Sequence, residues 1–93
     1  MRHALDPKLK SRALHRAKIL KGQMEGVMKM IESEEYCPAI LRQSLSIQRS
    51  LKSMDELLLE NHIKSHVKHQ MQSPGQDTQA IKELTEIYHL ANR

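Results

Sequence analysis

His62, His66 and His69 follow one another at steps of four and three, a spacing that sets three imidazoles along one face of a helix. Two imidazoles one turn apart converge well enough to hold a single transition-metal ion. The pair alone is as readily an ordinary polar helix end; the third histidine and the chain's single cysteine, Cys37, give it weight. Cys37 stands just before Pro38, where a helix can begin. Free backbone N–H groups and the helix dipole favour negative charge there, which suits a thiolate acting as metal ligand or nucleophile. A lone cysteine is more commonly a small packed residue.

A second constellation is basic. Lys8, Arg12 and Arg16 recur at steps of four with His15 beside them, and Lys10, Lys18 and Lys21 flank the row. Residues 7–24 hold no Asp or Glu to pair with them, so a polyanion is the expected partner and its binding should be strongly salt-dependent. Arg12, Arg16, Lys18 and Lys21 are the candidate phosphate contacts. The basic segment is too long to be the second helix of a helix-turn-helix, and Tyr36 and Tyr88 are the only aromatic side chains available for stacking on single strands. No Gly-rich phosphate loop or nucleophile–base–acid spacing is present, and the chain is not expected to be an enzyme.

The elements that must carry these residues are helical. Leu9, Ala13, Ala17, Leu20, Met24, Val27 and Ile31 form one apolar stripe, predicting a helix from about Pro7 to Ser33 with Asp6 as its cap. Gly22 and Gly26 share a face where another backbone could come close. Glu34–Cys37 is the break. Ile40, Ser44, Ile47, Leu51, Met54 and Leu58 then carry a second helix onward, with nothing to stop it before Ser73-Pro74-Gly75. A short third helix is expected from about Thr78 to Ala91, capped by Asp77, with Ile81, Leu84, Ile87 and Tyr88 apolar.

The fold class is therefore all-α: two long antiparallel helices plus a short third, in a single domain over residues 1–93 with residues 1–6 a flexible N-terminus. The short helix cannot cover the long pair, so apolar surface should remain and self-association is the expected remedy. Of the formal net charge of +4, residues 1–30 carry +6 (eight Lys/Arg against Asp6 and Glu25) and the rest −2. One cysteine allows no intrachain disulfide, and no apolar run suits a membrane span or signal segment, so a reducing, cytoplasmic setting is expected.

Geometry constrains how the chemistry can be assembled. On a continuous second helix, Cys37 and His62 would lie about 37 Å apart at roughly 1.5 Å of rise per residue. They could not hold one ion within a chain. They could meet if two copies of the helix packed antiparallel, so a shared site would require a dimer.

Three stretches resemble one known family. Lys21-Gly22-Gln23, the run from Cys37 to Gln43, and the run from Asn61 to Gln70 look like the CsoR/RcnR family of bacterial repressors, in register from about Leu9 to the C-terminus. The resemblance implies a three-helix protomer, an antiparallel dimer and a disc-like tetramer. It also implies double-stranded operator DNA bound by basic residues of the first two helices and released on inducer binding. The matching inducer positions are Cys37, with His62 and His66 from the neighbouring chain.

Departures from the family's branches point to the inducer. Copper sensors of the family have Cys where this chain has His66, and soft Cu(I) prefers that second thiolate. Persulfide sensors need two cysteines. Formaldehyde sensors keep the Cys, carry Pro after the initiator Met where this chain has Arg2, and generally lack a histidine at the position of His66. The Cys-His-His set resembles the nickel/cobalt-sensing RcnR branch most closely. That branch adds an N-terminal histidine; His3 is the candidate, two residues ahead of Leu5, which occupies the matching place. The expected cofactor is a divalent transition metal, nickel or cobalt first, with zinc or copper as alternatives, and His69 is a supporting residue or a further ligand. The competing readings are a formaldehyde-responsive repressor using Cys37 as nucleophile with the N-terminal amine, and a metal-binding helical module without DNA activity.

Overall fold

The structure, a computed structural model, describes residues 5–93, and every described element is helical. α1 spans Pro7–Glu32 and α2 spans Cys37–His62. A π-helical turn, Ile63–Val67, follows, then α3 (Lys68–Met71) and α4 (Gln76–Ala91). The chain divides into two compact units, Met1–Leu59 and Glu60–Arg93.

In the first unit α1 begins where the sequence places it. The Asp6 side chain accepts a hydrogen bond from the Leu9 backbone N–H at 3.1 Å, and Pro7 occupies the first helical position, where its missing N–H costs nothing. The end of α1 is a Schellman motif. Glu35 N donates to Met30 O and Glu34 N to Ile31 O, both at 3.0 Å, closing the last carbonyls around Ser33. The motif needs a left-handed residue after the cap, and here that residue is Glu34, at φ 52°. A side chain with a Cβ is strained in that region by roughly 1–2 kcal/mol. Glu34→Gly is therefore expected to stabilise the protein by up to about 1 kcal/mol, the strain relief less glycine's extra chain entropy, read as a higher urea midpoint at fixed protein concentration. An unchanged or lower midpoint would show that Glu34 carries no strain.

α1 and α2 pack antiparallel, Arg16 near the start of α1 meeting Ser53 late in α2. Leu20, Val27 and Ile47 are the buried cluster between them, with Ile40 and Met54 packed against it. Ala13 and Leu57 are also buried. The stripes were broader than what a single chain covers: Met24 and Ile31 are 49% and 58% exposed, and Leu51 is exposed while Leu57, outside the stripe, is buried. Met28, Leu41 and Leu45 add to the uncovered apolar surface, the surplus expected of so short a third helix. A Cβ at Gly22 or Gly26 would meet nothing within 4 Å, so the close approach expected at that face is not made within the described chain.

In the second unit α4 packs against α3. Val67 and the wholly enclosed Ala80 are its buried apolar residues, and Asn61 is its buried polar one. The cap of α4 differs from expectation. Gly75, in the left-handed region at φ 81°, precedes Gln76 and turns the chain into the helix, so Asp77 lies inside the first turn rather than ahead of it. Its carboxylate there complements the dipole without capping. Ile81, Ile87 and Tyr88 are exposed, leaving an apolar face on α4 uncovered as well. Among the described residues no helix is long and apolar enough to cross a membrane.

Candidate functional site

The histidines lie where the helix changes its pitch. His62 is the last residue of α2, with right-handed helical backbone (φ −60°, ψ −45°), and His66 lies inside the π turn. The turn is defined by the Lys68 N–H reaching back five residues to the Ile63 carbonyl instead of four. Such turns occur mostly as single interruptions of an α-helix, frequently at functional positions. Both rings are half-buried and stacked, their centroids 5.4 Å apart and their planes 25° from parallel. His69, on α3, is exposed and outside that stack.

Polar residues adjoin the pair along the chain. Ser65 Oγ donates to Oδ1 of the buried Asn61 at 3.5 Å, and the exposed Glu60 and Lys64 form an ion pair at 2.7 Å. Gln70 places its Oε1 in the interior with no hydrogen-bond donor among the described residues.

Cys37 is the first residue of α2 and its thiol is free and exposed. It belongs to the first unit, the histidines to the second. Among the described residues no three His, Cys, Asp or Glu side chains come together in a group able to hold a metal ion. The structure thus brings His62 and His66 together; His3 lies outside the described residues.

The donor set nevertheless fits a transition metal. Two imidazoles sharing a tetrahedral ion at about 2.0–2.1 Å hold their ring centroids roughly 5 Å apart, close to the separation of His62 and His66. The exposed thiol of Cys37 is a donor of a kind such an ion also takes.

The basic face runs along α1. Arg12, Lys18 and Lys21 are exposed, whereas Arg16 is half-buried, its Nη1 donating to Ser53 Oγ on α2. Arg16 also borders a cleft of about 340 Å³ within the first unit, whose other lining residues are Ile19, Arg49, Ser50 and Ser53. Arg49 was not legible as a partner of Arg16 from the sequence, because the charge run was followed along one helix; the antiparallel pairing of the stripes was the signal that could have matched them.

A family described as "Metal-sensitive transcriptional repressor" matches residues 9–89. The chain belongs to that family, the CsoR/RcnR family. It is 35% identical over 65 residues to the copper-sensing transcriptional repressor CsoR of Mycobacterium ulcerans, a match covering 70% of this chain and 55% of that protein. The chain thus spans about half the length of the mycobacterial relatives it matches. It is also 35% identical over 81 residues to CsoR of Bacillus subtilis, covering 87% of this chain and 79% of that one. Among solved structures it is similar to the copper-sensing repressor CsoR with Cu(I) from Geobacillus thermodenitrificans, with a TM-score of 0.88, 28% identity, and coverage of 99% of this chain and 95% of that one. A variant of the formaldehyde-responsive regulator FrmR from Salmonella enterica serovar Typhimurium gives a TM-score of 0.80 at 27% identity, covering 91% of this chain and 96% of that one. Members of the family are transcriptional repressors rather than enzymes.

Proposed function

We propose that this chain is a cytoplasmic, DNA-binding transcriptional repressor that senses Ni(II) or Co(II) through an intersubunit site. The family match spans parts of both compact units, which supports reading residues 1–93 as one functional domain. Cys37 of one chain and His62 and His66 of its neighbour would be the ligands, His3 a fourth, and His69 a supporting residue. Arg12, Arg16, Lys18 and Lys21 would contact operator phosphates. The observation that carries the metal assignment is the stacked His62–His66 pair, in a chain whose single thiol is free and exposed. Two nitrogens and one sulfur suit nickel, cobalt or zinc, whereas the thiolate-rich sets that favour Cu(I) would need a second cysteine.

When bound, the ion would link the two chains through their own side chains. The repressor can leave DNA only if the linked arrangement binds DNA less well than the unlinked one. Because the thiol and imidazoles must give up protons to bind, metal affinity should fall as the pH is lowered. The uncovered apolar surfaces on α1, α2 and α4 support the dimer or tetramer that such a site requires.

Titrating the reduced protein with Co(II) tests this. A thiolate-to-cobalt charge-transfer band should appear and be absent in Cys37→Ala, and saturation should weaken operator binding. The exposure of Cys37 and the likeness to FrmR favour one second reading, in which the thiolate attacks an aldehyde with the N-terminal amine as partner. No cobalt band, together with release of DNA by formaldehyde, would replace the metal reading with that one.

A further inference from the structure

His62, His66 and Gln70 succeed one another at steps of four and all three are half-buried, while His69 is exposed. The half-buried row that passes through the π turn thus ends in an amide rather than a third imidazole. Two atoms of this row are closed off from solvent, Nδ1 of His66 and Oε1 of Gln70. An ion reaches an imidazole only through a nitrogen that is open to it, which leaves Nε2 as the atom His66 can offer. A neutral imidazole that gives Nε2 to a metal carries its proton on Nδ1 and is a donor there. An enclosed N–H needs an acceptor from the protein, because a buried donor left unmade costs its full desolvation. Gln70 offers one. Its Oε1 has no donor among the described residues, and two hydroxyls close to it in the chain are engaged elsewhere: Ser65 donates to Asn61 and Ser73 to the His69 carbonyl. Side chains four apart on a helix have Cβ atoms about 5–6 Å apart, a separation that a glutamine amide spans.

We propose that Gln70 is a positioning residue for the metal site, its Oε1 accepting the Nδ1–H of His66 and so fixing the tautomer that presents Nε2 to the ion. This rests on the metal reading above and deepens it, adding to the two imidazoles the group that orients one of them. Such a partner also raises the basicity of the ligand, and its removal typically costs roughly 10–100-fold in metal affinity. An interior acceptor without a donor lowers stability, so a side chain of similar length that lacks the oxygen should fold at least as well. Metal affinity and fold stability are therefore expected to move in opposite directions, which a residue kept for packing alone would not do.

The test uses the full, reduced chain. Gln70→Met keeps the length of the side chain and removes the acceptor. Its Co(II) affinity is expected to fall about 10–100-fold, with the thiolate-to-cobalt band unchanged in form at saturation because the ligands themselves remain. The urea midpoint of the metal-stripped variant should equal or exceed that of the wild type at the same protein concentration. Gln70→Glu, which restores an acceptor, should recover most of the affinity. Heteronuclear magnetic resonance of the wild type loaded with Zn(II) gives a readout that needs no variant: His66 should be bound through Nε2, with a slowly exchanging proton on Nδ1. Zinc bound through Nδ1 of His66 would overturn the role of Gln70. So would a Gln70→Met chain with wild-type Co(II) affinity, or one whose lost affinity is matched by a lowered urea midpoint. In each of these the wild-type cobalt band would remain, and the metal reading with it. If the wild type gives no cobalt band, the metal reading fails and the role of Gln70 falls with it.

Discussion

Mixing Cys37→Ala and His62→Ala chains is expected to restore metal binding that each variant alone has lost. Each substitution removes a proposed ligand, so each pure variant should lose more than the roughly 10–100-fold that removal of a supporting partner costs. In a two-fold dimer with two shared sites, a mixed pair joins the intact Cys37 of one chain to the intact His62 and His66 of the other. Its second site lacks both. Random exchange at equal amounts makes half of the dimers mixed, so about a quarter of the wild-type sites should return. The cobalt thiolate band reads this directly. A mixture as silent as its components would mean that Cys37 and His62 do not meet across an interface, and the intersubunit site would have to be abandoned.

Leu20→Ala is expected to be the most damaging single change to the fold. Among the described residues Leu20, Val27 and Ile47 form the buried cluster between α1 and α2, with only Ile40 and Met54 packed against it. Truncating a buried leucine costs about 2–5 kcal/mol, against the total of roughly 5–15 kcal/mol that holds a typical protein folded. Urea unfolding at one fixed protein concentration should show a much lower midpoint with little change in slope. A loss below about 0.5 kcal/mol, the level of an ordinary surface substitution, would show that the seam is held together elsewhere.

How far the sequence reaches follows from what each signal depends on. The start of α1 was legible to the residue, because Asp6 and Pro7 act locally, and Glu32 ends the helix one residue short of the expected Ser33. The seam was legible in outline, since Leu20, Val27, Ile40, Ile47 and Met54 lie on the predicted stripes and all pack in it. Met24 and Ile31 read as core and are exposed. A stripe says that a side chain wants cover, not which molecule gives it. Asp77 looked like a cap because carboxylates commonly are, but Gly75 can adopt a left-handed turn at no steric cost and does so earlier. The nearness of His62 and His66 was legible from their spacing. The π turn that carries His66 was not, because one added residue per turn leaves no mark in composition. Arg49 was hidden for a different reason: its link to Arg16 exists only once two helices lie side by side.

Ile63–Val67 spends one residue more per turn than the α-helix on either side of it. The helical chain therefore carries slack in its length at this point. Losing one residue within the turn would let the hydrogen bonds revert to the shorter repeat, and the residues beyond would keep their angular phase. The same loss inside α2 would swing everything after it by about 100°, the angle one residue subtends in a helix of 3.6 residues per turn. Of all places along residues 37–71, the turn that carries His66 is where the loss of one residue between the two imidazoles would alter their spacing while sparing the packing of Ala80 further along.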